Sequence, residues 1–261
     1  MSATPIPRTY ALTIYGDTDI SSIKSKPIGR KEIITKVKKN SDITEVLGLM
    51  LEQIKLGHQI YVVSPLVEED ESLNLTSINL LKEKLSLAFK NLFRIEIIHG
   101  KMKTTEKESI MNDFKNNQIK ILIATTVIEV GIDVSNATMM VIFNAERFGL
   151  ATLHQLRGRV GRSDLQSYCY LISDSDNDRL KVMEESNDGF YISQKDFEMR
   201  GHGDLFGVKQ HGDMSFKLAN LKNDYNILLF ANEDAKKFID SKEYLNNEYY
   251  KDLAQNLNIT D

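Results

Sequence analysis

The chain has 261 residues, of which 41% are hydrophobic and 27% are charged, which is enough for one large core or for one domain with an appendage. Its formal net charge of −4 predicts no general attraction to nucleic acid, so any such contact must use a local basic patch. The single cysteine, Cys169, excludes an internal disulfide and cysteine-based zinc sites, and the lack of an apolar run of ~18 residues predicts a cytoplasmic protein that does not span a membrane.

Up to about residue 172, short apolar runs alternate with amphipathic segments. The apolar runs predict strands at Tyr10–Tyr15, Glu32–Val37, Gln59–Ser64, Arg94–Ile98, Lys120–Ala124, Thr138–Phe143 and Ser167–Ile172. The amphipathic segments predict helices at Asp42–Ile54, Ser77–Leu92, Thr105–Phe114 and Leu150–Gly158, with Asp42 and Glu45 as a reciprocal cap on the first. This alternation predicts an α/β fold with a parallel sheet flanked by helices and with functional residues on loops at the carboxyl ends of the strands.

The pattern changes after Ile172. Two short helical segments separated by a turn, a glycine-rich stretch and a mostly helical end follow, in the ranges Ser173–Glu198, Arg200–Gly207 and Phe216–Asn256. The sequence therefore predicts a sheet-containing domain at residues 1–172 and a helical region at residues 173–261.

Two segments carry polar groups that suit nucleotide or nucleic-acid chemistry. SATPIPRT, at Ser2–Thr9, is a proline-stiffened loop that places small polar residues beside Arg8, although a plain surface loop would have the same composition. ATTVIEVGIDV, at Ala124–Val134, follows a buried strand and offers hydroxyl and amide groups to phosphate and a carboxylate to a ribose. An ordinary connection between a strand and a helix is the alternative for this second segment.

The run HQLRGRVGR, at His154–Arg162, is the most specific signal in the chain. Its three arginines alternate with Gly158 and Gly161, which lets the backbone approach a ligand closely. Planar guanidinium groups suit bidentate binding of phosphate, and an arginine from another module often stabilises the charge of phosphoryl transfer. A basic helix end is the alternative interpretation.

In this order and spacing, the three segments resemble motifs III, V and VI of superfamily 2 helicases. Four further runs are similar to the RecG family within that superfamily, namely Asn144–Ile172, the HGKM run His99–Met102, the TRG (translocation in RecG) region Arg179–Gly212, and Phe216–Leu221. The transcription-repair coupling factor shares the motor and TRG motifs, but Arg147–Gln155 and the pair His211-Gly212 favour RecG.

The resemblance implies a RecA-like second motor lobe at residues 1–172, starting within motif III, and a TRG helical hairpin, loop and C-terminal helical region at residues 173–261. It implies an ATP-dependent DNA helicase that remodels branched DNA, such as stalled forks and Holliday junctions, in recombination and repair. ATP and Mg²⁺ would be held mainly by a first lobe. The implied partners are branched double-stranded DNA, that first lobe and a wedge domain, in a monomeric bacterial protein. A non-catalytic nucleic-acid-binding module of the same fold is the alternative.

The resemblance also assigns roles to individual residues. Arg159 and Arg162 match catalytic arginines, and Gly131 and Asp133 join them as nucleotide-binding residues. Roles in DNA binding or coupling fall to a larger set, namely Thr4, Arg8, His99, Gly100, Thr125, Thr126, Arg157, Arg179, Arg200 and Gln210. The segment Asp174–Asp213 has ten acidic and five basic residues, so it suits a lever held by specific hydrogen bonds better than a DNA clamp.

Two motifs of ATP-hydrolysing motors are missing from the sequence. It contains no G-x-x-x-x-G-K-[ST] phosphate loop and no Asp-Glu-x-His or Asp-Glu-x-Asp box for Mg²⁺. In the resembled family both belong to the first lobe. We therefore expect this chain to be the second part of a longer motor and to be inactive in ATP hydrolysis on its own.

Overall fold

A computed structural model of the chain describes residues 30–65, 71–125, 134–205 and 225–242. Within these ranges, six parallel strands form one sheet in the order β1-β6-β5-β2-β4-β3. The strands are β1 (Ile34–Lys38), β2 (Gln59–Val63), β3 (Ile95–Ile98), β4 (Ile121–Ala124), β5 (Ala137–Ile142) and β6 (Tyr168–Ile172). Each overlaps its predicted range, and the strand predicted at Tyr10–Tyr15 lies outside the described residues.

The helices of the described ranges are α1 (Ile43–Lys55), α2 (Glu71–Ala88), α3 (Thr104–Lys115), α4 (Leu150–Arg157), α5 (Asp178–Glu185), α6 (Gly189–Leu205) and α7 (Tyr225–Ser241). Helix α2 begins six residues before its predicted start, because Leu73 and Leu75 alternate with polar residues and hide the helical period. Helix α6 continues through Gly201 and Gly203, where the sequence predicted a break. Each glycine costs a helix only about 1 kcal/mol relative to alanine, which does not end it.

The sheet separates two apolar layers, because successive side chains along each strand point to opposite faces. In β2, Tyr61 and Val63 pack on the side of α3, α4 and α5, whereas Ile60 and Val62 pack on the side of α1 and α2. The central strands are buried along their whole length, as the predicted runs of apolar residues require.

The reciprocal cap predicted for α1 is wrong. The chain enters α1 through a 3-10 turn at Asn40–Asp42, and Asp42 therefore has φ −93° and ψ 7° instead of the extended backbone of a capping residue. Its carboxylate accepts a hydrogen bond from the Lys39 amide at 3.2 Å, and the Glu45 carboxylate pairs with Lys38 Nζ at 2.7 Å.

Helix α5 covers the β1 edge of the sheet. The Glu184 carboxylate accepts a hydrogen bond from the Val37 amide at 3.4 Å, and the Asn187 side chain donates to the Ile33 carbonyl at 3.1 Å. These contacts satisfy outward-facing backbone groups of an edge strand that would otherwise be available to another chain.

The described residues fall into two compact units. The first contains the sheet, α1 to α5 and α6 as far as Gly201, and the second contains α7. Helix α5 thus belongs to the same unit as the sheet, whereas the motif-based boundary after Ile172 divides the chain by proposed role. In the part of the chain that the structure describes, we find no helix both long and apolar enough to cross a membrane.

Candidate functional site

The arginine-rich loop that follows α4 has a fixed backbone. The helix ends as the Gly158 amide donates to the His154 carbonyl at 3.0 Å, and the Val160 side chain is buried in the core. Gly161 has φ +72°, and a Cβ there would lie 2.8 Å from Cγ1 of Ile33. Only glycine fits at this position, so the loop is held against the residue that precedes β1.

Arg159 and Arg162 are presented by this loop, and both are half-buried. Arg162 Nε donates to the Gly158 carbonyl at 3.2 Å, and the Arg159 side chain makes no hydrogen bond or ion pair with the residues that the structure describes. The loop leads into the start of β6, so these arginines lie at the amino ends of the strands.

The loop is tied to the chain that follows motif V. Ser163 Oγ donates to the Ser135 carbonyl at 2.9 Å, and Ser135 lies two residues before β5. Motif VI and the exit of motif V therefore meet at the amino edge of the sheet. Gly131 and Asp133 lie outside the described residues.

Predicted DNA-side residues lie at the opposite, carboxyl edge. His99 and Gly100 follow β3, and Thr125 follows β4, the strand beside it. Lys107 of α3 donates to the Gly100 carbonyl at 2.6 Å, Thr125 is buried, and His99 Nδ1 is buried with no hydrogen-bond partner among the described residues. The expectation of carboxyl-end loops holds for these three residues and is wrong for Arg159 and Arg162.

Arg157 is only 2% exposed and is committed to the interior. Its Nη1 donates to the Met183 carbonyl at 2.7 Å, the Ser186 carbonyl at 2.9 Å and the Thr35 hydroxyl at 3.2 Å. Burial lowers the pKa of the guanidinium, and Glu32 and Cys169 oppose that shift. Arg157 thus joins α4 to the C-terminal end of α5, where free helix carbonyls need donors, and its guanidinium is not offered to phosphate.

Arg179 joins the other end of α5 to the segment before α4. Its Nη2 donates to the Glu146 carbonyl at 3.0 Å and its Nη1 to the Phe148 carbonyl at 3.4 Å. The Asn177 side chain caps α5 by accepting from the Arg179 amide at 2.9 Å. The expected specific intramolecular hydrogen bonds are confirmed for Arg179, and α5 is bonded at both ends to α4 or its approach.

The structure gives less information on the remaining predicted site residues. Thr4, Arg8, Thr126 and Gln210 lie outside the described residues, and Arg200 lies in α6 with only its backbone described. In the described ranges, no group of three or more potential ligands could hold a metal ion. The sequence-based site omitted Ser163 and Asn136, although Ser163 directly follows the motif VI run.

Comparison with known proteins decides the family. The family model "Helicase conserved C-terminal domain" matches residues 29–164, just over half of the chain. The chain belongs to this helicase C-terminal domain family. A second model, "ATP-dependent DNA helicase RecG, domain 3, C-terminal", matches residues 186–259, which confirms the RecG resemblance and favours it over the transcription-repair coupling factor.

The similarity to known relatives extends over nearly the whole chain. ATP-dependent DNA helicase RecG of Staphylococcus aureus is 46% identical over 254 residues, which cover 95% of this chain and 37% of that protein. RecG of Streptococcus pneumoniae is 46% identical over 241 residues, covering 91% of this chain and 35% of that protein. A solved structure of RecG bound to a three-way DNA junction matches with a TM-score of 0.69 and 40% identity, covering 87% of this chain and 30% of that one. The chain thus spans little more than a third of the length of the two RecG sequences and less than a third of the RecG chain in the solved complex.

Proposed function

We propose that this chain is the second motor lobe of an ATP-dependent DNA helicase of RecG type, which remodels branched double-stranded DNA in recombination and repair. The observation that carries the proposal is the motif VI loop, which holds Arg159 and Arg162 beside the exit of motif V. The solved RecG complex with a three-way junction supports branched DNA as the substrate. The motor would act as a monomer in the bacterial cytoplasm, together with a first lobe and a wedge domain.

On the nucleotide side, Arg159 and Arg162 would meet the phosphates of ATP held by the first lobe. Guanidinium groups fit this task because they stay charged and bind phosphate oxygens in pairs. Gly131 and Asp133 would line the same cleft. ATP would supply the phosphoanhydride bond whose hydrolysis drives movement, and Mg²⁺ would be held mainly by the first lobe.

On the DNA side, His99, Gly100 and Thr125 would act from the carboxyl edge. Thr126 would share their role in DNA binding or coupling, and Thr4 and Arg8 would act next to the first lobe. Movement reaches the TRG region through α4. Because Arg157 and Arg179 bond α5 at both ends, a shift of α4 carries α5 with it. Arg200 and Gln210 would pass that movement from the hairpin to the following loop.

The proposal predicts a selective defect for Arg162→Ala in the full-length motor. Removing an arginine that meets the transferred phosphoryl group lowers turnover by about 10³-fold or more. Branched-DNA binding should remain near wild type, because Arg162 lies at the edge opposite the DNA-side residues. DNA-stimulated ATP hydrolysis and binding to a labelled fork measure the two effects.

Arg94→Ala is the matched control, since it removes a half-exposed arginine that pairs with Glu96 and Asp113 beside β3. We expect its turnover and fork binding to stay close to wild type. Loss of fork binding by Arg162→Ala, or equal loss of turnover in both variants, would contradict the assigned role.

A further inference from the structure

A turn at the amino edge of β5 is held from two sides by side chains that motif assignment leaves out. The Ala137 amide donates to the Val134 carbonyl at 3.1 Å and closes the turn, whose first residue directly follows Asp133 in the sequence. Val134 is buried in the core.

On one side, the turn is bonded to the arginine loop. Ser163 Oγ donates to the Ser135 carbonyl at 2.9 Å, and Ser163 is the residue after Arg162. This hydrogen bond joins the residue that follows motif V to the residue that follows motif VI. Strand pairing does not join the two segments at this edge, because the ladder between β5 and β6 begins with Met139 and Tyr168 and continues toward the carboxyl edge. The hydrogen bond between Ser163 and Ser135 therefore sets the distance between the segments.

On the other side, the turn is bonded to the start of β2. Asn136 Nδ2 donates to the Gly57 carbonyl at 3.0 Å and to Gln59 Oε1 at 3.3 Å, and the Asn136 carbonyl accepts from the Gln59 amide at 3.0 Å. Gln59 is fully buried, and its Nε2 donates to the Ile119 carbonyl at 2.7 Å. Asn136 therefore connects the turn both to the Gly57 carbonyl, in the turn after α1, and to the buried Gln59 side chain.

We infer that Ser163 and Asn136 are positioning residues that hold the loop of Arg162 in a fixed relation to the turn Val134–Ala137 and to the sheet, so that Arg162 is placed for phosphate before the cleft closes. The inference rests on the proposed function. It follows from the two sets of hydrogen bonds that fix both sides of one turn. A nucleotide contact needs its donors placed within a fraction of an ångström, and a bond between the two segments supplies that placement before ATP arrives.

The test uses the full-length motor with Ser163→Ala and Ser163→Thr. Ser163→Ala should lower the kcat of DNA-stimulated ATP hydrolysis about three- to ten-fold, the range expected for one lost neutral hydrogen bond. Affinity for a non-hydrolysable ATP analogue and the Tm should stay near wild type. Ser163→Thr keeps the hydroxyl and should restore kcat. Without nucleotide, amide hydrogen exchange at residues 134–137 should be faster in Ser163→Ala only.

Asn136→Ala tests the second side and should lower kcat in the same direction. Its matched control is Asn117→Gly, because Asn117 Nδ2 also donates to the Gly57 carbonyl, at 3.3 Å, without touching the turn. Glycine suits the backbone at Asn117, where φ is +61°. This control should retain wild-type kcat and wild-type exchange of the turn.

The outcomes separate the inference from the proposed function. An active wild-type motor whose Ser163→Ala variant keeps full kcat and unchanged exchange would overturn the inference alone. Equal losses in Ser163→Ala and Ser163→Thr, or in Asn136→Ala and Asn117→Gly, would also overturn it, since they indicate general loosening of the edge. A wild-type full-length protein without DNA-stimulated turnover would overturn the proposed function and the inference with it.

Discussion

At the scale of single residues, Cys169 is a titratable group in the interior of the lobe. Its side chain is fully buried in β6, and burial raises the pKa of the thiol to about 12 from an ordinary 9.0, although the guanidinium of Arg157 opposes the rise. Because the folded pKa lies above the unfolded one, the stability that this thiol contributes is complete below about pH 9. It is lost as pH rises from 9 toward 12.

Cys169→Ala should therefore lose less stability than wild type between pH 8 and about pH 10.5. Denaturant unfolding of both proteins at the two pH values measures the difference. The comparison is needed because lysines and tyrosines titrate in the same range and affect both proteins equally. Identical losses in the two proteins would mean that the thiol is not protected by the fold.

The motif VI arginines show what a sequence says about residues and what it omits. The run of three arginines and two glycines predicts a functional loop, and the structure has a loop of fixed backbone at that place. It does not distinguish Arg157, which is buried and bonded to carbonyls of α5, from Arg159 and Arg162, which are half-buried at the loop. Arginine side chains are mostly exposed in proteins, so the local sequence gives no sign that Arg157 is buried. Its burial results from the packing of α5, whose Met183 lies 26 positions away.

At the scale of elements, α5 is the part of the TRG region that is bonded to α4 and to the segment before α4. Arg179 bonds its first turn to the carbonyls of Glu146 and Phe148, and Arg157 bonds its last turn to α4. A helix of eight residues is only marginally stable by itself, so these bonds and the buried side chains hold it in place. Its position is therefore set by α4, by the chain that precedes α4 and by the edge strand β1.

In the full-length motor, Arg179→Ala should keep most ATP turnover while losing most fork unwinding, because the nucleotide-side arginines stay in place and the first turn of α5 loses its bonds to the segment before α4. Arg200→Ala should behave in the same way if the TRG assignment is correct. Turnover and unwinding of a labelled fork, measured on the same preparation, give the ratio of the two activities.

Lys181→Ala is the control for this ratio. Lys181 lies on the same helix, and the ion pairs of its side chain with described residues are those with the exposed Asp176 and Asp178. It should leave both activities unchanged. Equal loss of turnover and unwinding in Arg179→Ala would argue against a coupling role and for a simple loss of stability.

The elements also show where sequence patterns succeed. Strand positions were predicted well, because runs such as Ile121–Ala124 are apolar on both faces and admit few other structures. Helix boundaries were predicted less well, because the ends of α2 and α6 depend on packing and on backbone hydrogen bonds that composition does not encode. The cap at Asp42 failed for the same reason, since a 3-10 turn satisfies the backbone before the helix begins.

At the scale of the whole molecule, the two sets of residues in the proposed function lie at opposite edges of the sheet. The DNA-side residues follow the carboxyl ends of β3 and β4, and the nucleotide-side arginines precede the amino end of β6. A strand of five residues spans about 16 Å, so the DNA-side residues and the nucleotide-side arginines are separated by roughly the length of the strands. The sequence gives the order of the motifs, but only the parallel pairing shows that motif V begins at one edge and ends at the other.

This division predicts that the purified chain alone shows no DNA-stimulated ATP hydrolysis. Its arginines can complete a nucleotide site but cannot form one, because phosphate binding in such motors depends on a glycine-rich loop with a lysine, and the sequence has none. The assay is phosphate release with and without branched DNA, and the chain with Arg162→Ala supplies the background. Turnover by the unmodified chain above that background would show that a complete site exists within these 261 residues, and the two-lobe proposal would have to be abandoned.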